Sequence, residues 1–71
     1  MKAIITSVKN GTRFYLTEDR LASAIPAMAW QFKWTYDAQL VADGENANQV
    51  WSGYGIIWKV AQRLRGGKIV E

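Results

Sequence analysis

The sequence predicts a small α+β domain: an antiparallel sheet, made from an N-terminal hairpin and an aromatic third strand, packed against one C-terminal helix. Three observations carry this reading. An Asn10-Gly11 pair separates two runs rich in β-branched and aromatic residues; large side chains alternate with small or polar ones from Ala27 to Tyr36; and residues 46–65 gather apolar side chains on one half of a helical wheel. A chain of 71 residues has room for one compact domain, residues 1–71, and no more. A small all-β barrel is the alternative, because residues 46–65 also alternate passably as a strand.

The hairpin is the firmest element. Lys2–Val8 returns through Thr12–Thr17, and Asn-Gly supplies the two positive-φ positions of a type I′ turn. A two-residue loop sets Lys9 opposite Thr12, with Ser7/Phe14 and Ile5/Leu16 sharing one face and Ile4, Val8 and Tyr15 on the other. Thr17–Ala24 reads as a short helical turn. Thr17 caps it, Glu18 and Asp19 favour its N-terminus, and Pro26 ends it. The adjacent Glu18-Asp19 carboxylates serve capping rather than acid–base chemistry.

From Ala27 to Tyr36, Met28, Trp30, Phe32, Trp34 and Tyr36 fall on one side of a strand. Such a stripe is either core-facing or a platform for stacking bases. The core reading is preferred, since alternation puts Lys33 on the opposite face, away from any phosphate the platform would track. Asp37–Val41 continues as an edge strand, the sheet's fourth, or as a connection. Asp43-Gly44-Glu45-Asn46 is turn chemistry, with too few alternating carboxylates for a calcium loop.

Residues 46–65 are ambiguous by pattern alone. One half of the wheel holds Val50, Trp51, Tyr54, Ile57, Trp58, Val60, Ala61 and Leu64, while Gly53, Gly55 and the β-branched residues weaken a helix. End signals favour the helix. Asn46 with Gln49 resembles a capping box, and Gly66-Gly67 resemble C-terminal terminators. Lys59, Arg63 and Arg65 then complement the helix dipole. Lys68–Glu71 is a short final strand or a tail.

Composition closes most catalytic chemistry. The chain has no Cys and no His, which removes thiolate nucleophiles, disulfides, the common zinc ligands and the usual general base. No serine is followed three residues later by Lys, and Gly53-Tyr54-Gly55 lacks the frame of a phosphate loop. The expectation is a protein without catalytic residues, cofactor or metal. The apolar run Ala3-Ile4-Ile5 is too short for a signal-peptide core, and no stretch approaches the roughly 18 apolar residues of a membrane span. With Met1 as the start, a small, complete, cytoplasmic protein is expected.

Two functional classes remain. The first is a protein-binding module: an inhibitor, adaptor or subunit of the kind phages and mobile elements encode, acting by occupying a partner's surface. Its support is the aromatic excess, four Trp in 71 residues, since Trp, Tyr and Arg anchor interfaces. Trp51, Tyr54, Trp58 and Arg65 are the candidate partner-binding residues, at the edge of the predicted helical arc. The second class is nucleic-acid binding, for which the net charge of +3 is a mild bias. Lys59, Arg63, Arg65 and Lys68, with Lys9 and Arg13 at the hairpin tip, would carry it. Marginal burial without disulfide or metal staples adds the expectation of a homo-oligomer.

Overall fold

The computed structural model describes residues 2–71; Met1, the expected start of the reading frame, lies outside the described residues. Strands β1 (Lys2–Lys9), β2 (Thr12–Leu16), β3 (Ala22–Ser23), β4 (Lys59–Arg63) and β5 (Ile69–Val70) form one sheet of order β3-β2-β1-β4-β5. Every pairing in it is antiparallel. Helices α1 (Thr35–Asn46) and α2 (Gln49–Gly53) lie between β3 and β4 in the chain. The α+β class is borne out, and the sheet is open rather than a closed barrel.

The N-terminal hairpin has the predicted register, with Lys9 opposite Thr12 and Ser7 opposite Phe14. Asn10 and Gly11 take φ values of 53° and 78°, the left-handed pair that a type I′ turn needs. Alternation along β1 divides the interior in two. Ala3 and Ile5 join Leu16, Phe32, Ala38, Ala42, Ile56 and Trp58 in the main core, whereas Ile4 packs with Tyr15, Ala29 and Ala61 on the other side. Neither face of the central strand is left to water.

The region predicted as a third strand is built differently. Pro26–Met28 is a turn of 3-10 helix, which proline starts rather than terminates. The chain is then extended only briefly: Trp30 donates its amide to the Leu16 carbonyl (2.9 Å), and Phe32 exchanges two backbone hydrogen bonds with Ala3 (2.8 and 2.9 Å). Trp30 and Phe32 turn inward, while Met28, Trp34 and Tyr36 are exposed. The sequence alternation is real, but only its second and third members reach the core. Upstream, Thr17 accepts the Leu21 amide (3.2 Å) in a turn, and β3 replaces the helix predicted there.

The helix that covers the sheet is α1, where a strand or connection and then a turn are predicted. Its buried side is Ala38, Ala42 and Glu45, with Val41 half-buried against the core. Two alanines let the helix lie close on the sheet but supply almost no hydrophobic contrast, so periodicity does not reveal it. Asp37 stands in its first turn, and Gln39 Nε2 donates to Asp43 Oδ1 at 2.8 Å, one helical turn on. The predicted C-terminal helix over 46–65 reduces to α2, capped by Asn48, whose Oδ1 accepts the Val50 amide at 3.0 Å.

Beyond α2 the strand alternative holds. Gly55 takes a φ of 73°, and Ile56, Trp58 and Val60 then alternate into the core. β-Branched residues and two glycines outweigh the wheel pattern here. Gly66 and Gly67, with φ of 89° and 88°, turn β4 into β5 rather than ending a helix. Of the strand and tail alternatives for Lys68–Glu71, the strand is present, as β5.

Candidate functional site

The four predicted partner-binding residues do not form one surface. Tyr54 is exposed after α2, and Arg65 is exposed in the β4–β5 turn. Trp58 is only 2% exposed, so the partial exposure expected of it is absent. A strand, not a helix edge, carries it inward, and its Nε1 finds no hydrogen-bond acceptor. Trp51 is half-buried; its ring meets that of Trp58 edge-on at 5.2 Å, and its Nε1 donates to Glu45 Oε1 at 3.0 Å. Both indoles therefore serve the interior.

The predicted cations are likewise dispersed. Lys9 donates to the Tyr54 carbonyl, and its ammonium lies 6.0 Å from the Tyr54 ring centre. Arg13 bonds Glu71 (2.8 Å) and the Thr6 hydroxyl (3.2 Å), which ties the hairpin to the C-terminus. Lys59 is exposed and stands opposite Thr6. Arg63 donates to the Pro26 carbonyl at 3.3 Å, while Arg65 and Lys68 are exposed around the terminal turn. With no helix ending at Arg65, the proposed dipole complementation by Lys59, Arg63 and Arg65 does not arise.

Two surfaces are more coherent, neither marked as a whole in the sequence, although Arg63, Arg65 and Trp34 of the second stand among its candidates. The first is the segment Leu21–Met28 along the β3 edge of the sheet, where Leu21, Ile25 and Met28 are 62%, 60% and 53% exposed. Its sequence signal is Pro26 among apolar residues, which gives an apolar stretch no helix or long strand in which to hide. The second is a pair of depressions at the end of the sheet where β1 begins. One is lined by Lys2, Gln31, Arg63 and Arg65, the other by Lys2, Lys33, Trp34 and Gln62. Lys2 belongs to both. The adjacent Lys33-Trp34 dipeptide was visible in sequence, but the strand reading separated its members to opposite faces.

Among the described residues there is no cluster of three or more metal-ligating side chains, and no helix is long and apolar enough to cross a membrane. Fold and surface together define a small α+β domain with an open antiparallel sheet and several large apolar side chains exposed. No protein family, characterised protein or solved structure matches the chain.

Proposed function

We propose that the protein is a non-enzymatic binding module that acts by occupying the apolar surface of a cytoplasmic protein partner, as an inhibitor, adaptor or subunit would. The observation that carries this reading is the exposure of large apolar side chains. Eleven are exposed among the described residues, and three of them fall in the eight-residue segment Leu21–Met28. Exposed apolar side chains concentrated in one segment mark contact surfaces, because their burial on association releases roughly 25 cal/mol per Å². β3 adds an unpaired sheet edge of only two residues, too short to recruit a strand unaided. Side-chain burial, rather than strand addition, is then the source of affinity.

The carboxylates support the non-enzymatic reading. Glu45 is engaged by Arg20 and Trp51, and Glu71 by Arg13. Glu18, Asp19, Asp37 and Asp43 lie exposed on the surface. The test compares the wild-type protein with Leu21→Glu/Ile25→Glu as bait in lysate of the source cell. Circular dichroism first establishes that the variant is folded. A partner retained by the wild type and lost by the variant is expected; identical captured sets would refute a role for this segment.

A further inference from the structure

We propose that the paired depressions at the start of β1 form a binding site for single-stranded nucleic acid, with Trp34 stacking a base and Lys2, Lys33, Arg63 and Arg65 holding phosphates. This site shares no residue with the Leu21–Met28 segment; Arg63 links the two through the Pro26 carbonyl, but the variants that test each surface leave Arg63 in place, so either reading can fail without the other.

Charge is the first argument. Lys2 and Arg63 stand directly opposite each other across β1 and β4. Like charges so placed on neighbouring strands repel and destabilise a sheet, a cost that an anion lying between them would reverse. Only two ion pairs form among the described residues, Arg13–Glu71 and Arg20–Glu45, and none of the four cations takes part. No carboxylate lines either depression. The four positive charges of this one end exceed the net charge of +3 for the whole chain. The surface is therefore polarised, with its excess positive charge collected here.

The second argument is Trp34. It is 62% exposed, although indole is among the costlier side chains to leave in water, and the Lys33 ammonium lies 5.4 Å from its ring centre. An aromatic face bordered by cations is the combination that single strands require, because every unpaired base offers a face to stack and every linkage a phosphate. A duplex keeps its base faces covered and leaves Trp34 nothing to stack upon. Gln31 and Gln62, one in each depression, add amide donors and acceptors beside the cations. Lys2 lines both depressions, so a strand crossing this end of the sheet passes its ammonium in either one.

Fluorescence anisotropy with a labelled mixed-sequence 12-mer tests the site, run as single strand and as duplex at 50 and 200 mM salt. Four phosphate contacts on a single strand give a log–log salt slope of about −2.8, so affinity is expected to fall about 50-fold between these conditions. Trp34→Ala should weaken binding about 5- to 150-fold, the range for one stacked base. Lys33→Gln and Arg65→Gln should each weaken binding and reduce the slope by about 0.7. These three residues are exposed, so the variants are expected to fold, which circular dichroism checks. Absence of single-strand binding at 50 mM salt would overturn the proposal. So would tighter binding of the duplex, or equal binding of inorganic polyphosphate together with indifference to Trp34→Ala.

Discussion

The side chain of Asn46, the last residue of α1, pairs with both backbone groups of Trp58: Nδ2 donates to its carbonyl at 2.8 Å, and Oδ1 accepts its amide at 2.7 Å. The amide thus acts as one residue of a missing neighbouring strand. It satisfies the backbone just before β4 and fixes the end of the helix against the sheet. The contact also sets the depth at which Trp58 enters the core beneath α1.

Asn46→Asp replaces the donor by a carboxylate facing the Trp58 carbonyl. A loss of about 1–3 kcal/mol is expected, from one broken bond and one carbonyl left unsatisfied. For a domain of this size that lowers the melting temperature by roughly 4–8 °C per kcal/mol, which thermal circular dichroism reads directly. An unchanged melting temperature would mean that the bridge contributes nothing.

Glu45 links three distant parts of the chain. Its largely buried carboxylate accepts from Trp51 Nε1 and, at 3.2 Å, from Arg20 Nη1. Arg20 itself is more than half exposed, so most of its share is screened by water. Glu45→Ala is expected to cost about 1–3 kcal/mol, chiefly by stranding the Trp51 indole N–H. Glu45→Gln, which keeps an acceptor, should recover part of that loss in urea denaturation. Equal losses for the two variants would show that the indole bond carries no weight.

The tryptophans separate into structural and accessible ones. Trp58→Ala should destabilise by about 3–5 kcal/mol, since it empties a fully buried site. Trp58→Phe keeps most of the ring and removes the N–H that lacks an acceptor, so a cost below about 1.5 kcal/mol is expected. Trp34→Ala should change stability by no more than about 0.5 kcal/mol. Iodide quenching should report Trp34 as open to solvent and lose that component in the Trp34→Ala variant. A Trp34→Ala protein that unfolds would contradict its exposed placement.

Self-association through the apolar Leu21–Met28 segment is expected to compete with partner binding. Light scattering coupled to gel filtration should show mass rising above 8.0 kDa with concentration. Leu21→Glu/Ile25→Glu should then return the protein to a monomer. A wild-type monomer throughout the accessible range would remove the homo-oligomer from the reading.

Turn geometry offers a cleaner measurement. Gly11 has open space where a Cβ would stand, yet its φ of 78° is unfavourable for any L side chain. Gly11→Ala should therefore cost about 1–2 kcal/mol from backbone strain alone. Denaturation of this variant isolates the turn from packing, because no neighbour has to move.

Local signals specify the hairpin, its register and the α+β class, while for Lys68–Glu71 they leave strand and tail open. Asn10-Gly11 and the β-branched runs act within a few residues, where local sterics decide the outcome. The sequence by itself also closed histidine and cysteine chemistry, which follows from composition and needs no fold. The main helix escaped, because Ala38 and Ala42 bury a side that carries little hydrophobic signal, and only a sheet to pack against makes that side an interior. The aromatic alternation at 28–36 promised a core strand. Phe32 finds Ala3 to pair with, but Met28 and Trp34 do not find a covering layer, and a periodic pattern cannot report how much surface the rest of the chain has left to offer. The same holds for 46–65, where helix and strand patterns coincide and the Asn46–Trp58 bridge belongs to the strand. The proposed site was legible only in fragments, Arg63 and Arg65 among the predicted nucleic-acid cations and Trp34 in the weighed stacking stripe, for a related reason. Lys2, Lys33, Trp34 and Arg63 lie up to 61 residues apart in the chain, and only the pairing of β1 with β4, and of Phe32 with Ala3, brings them to one end of the sheet.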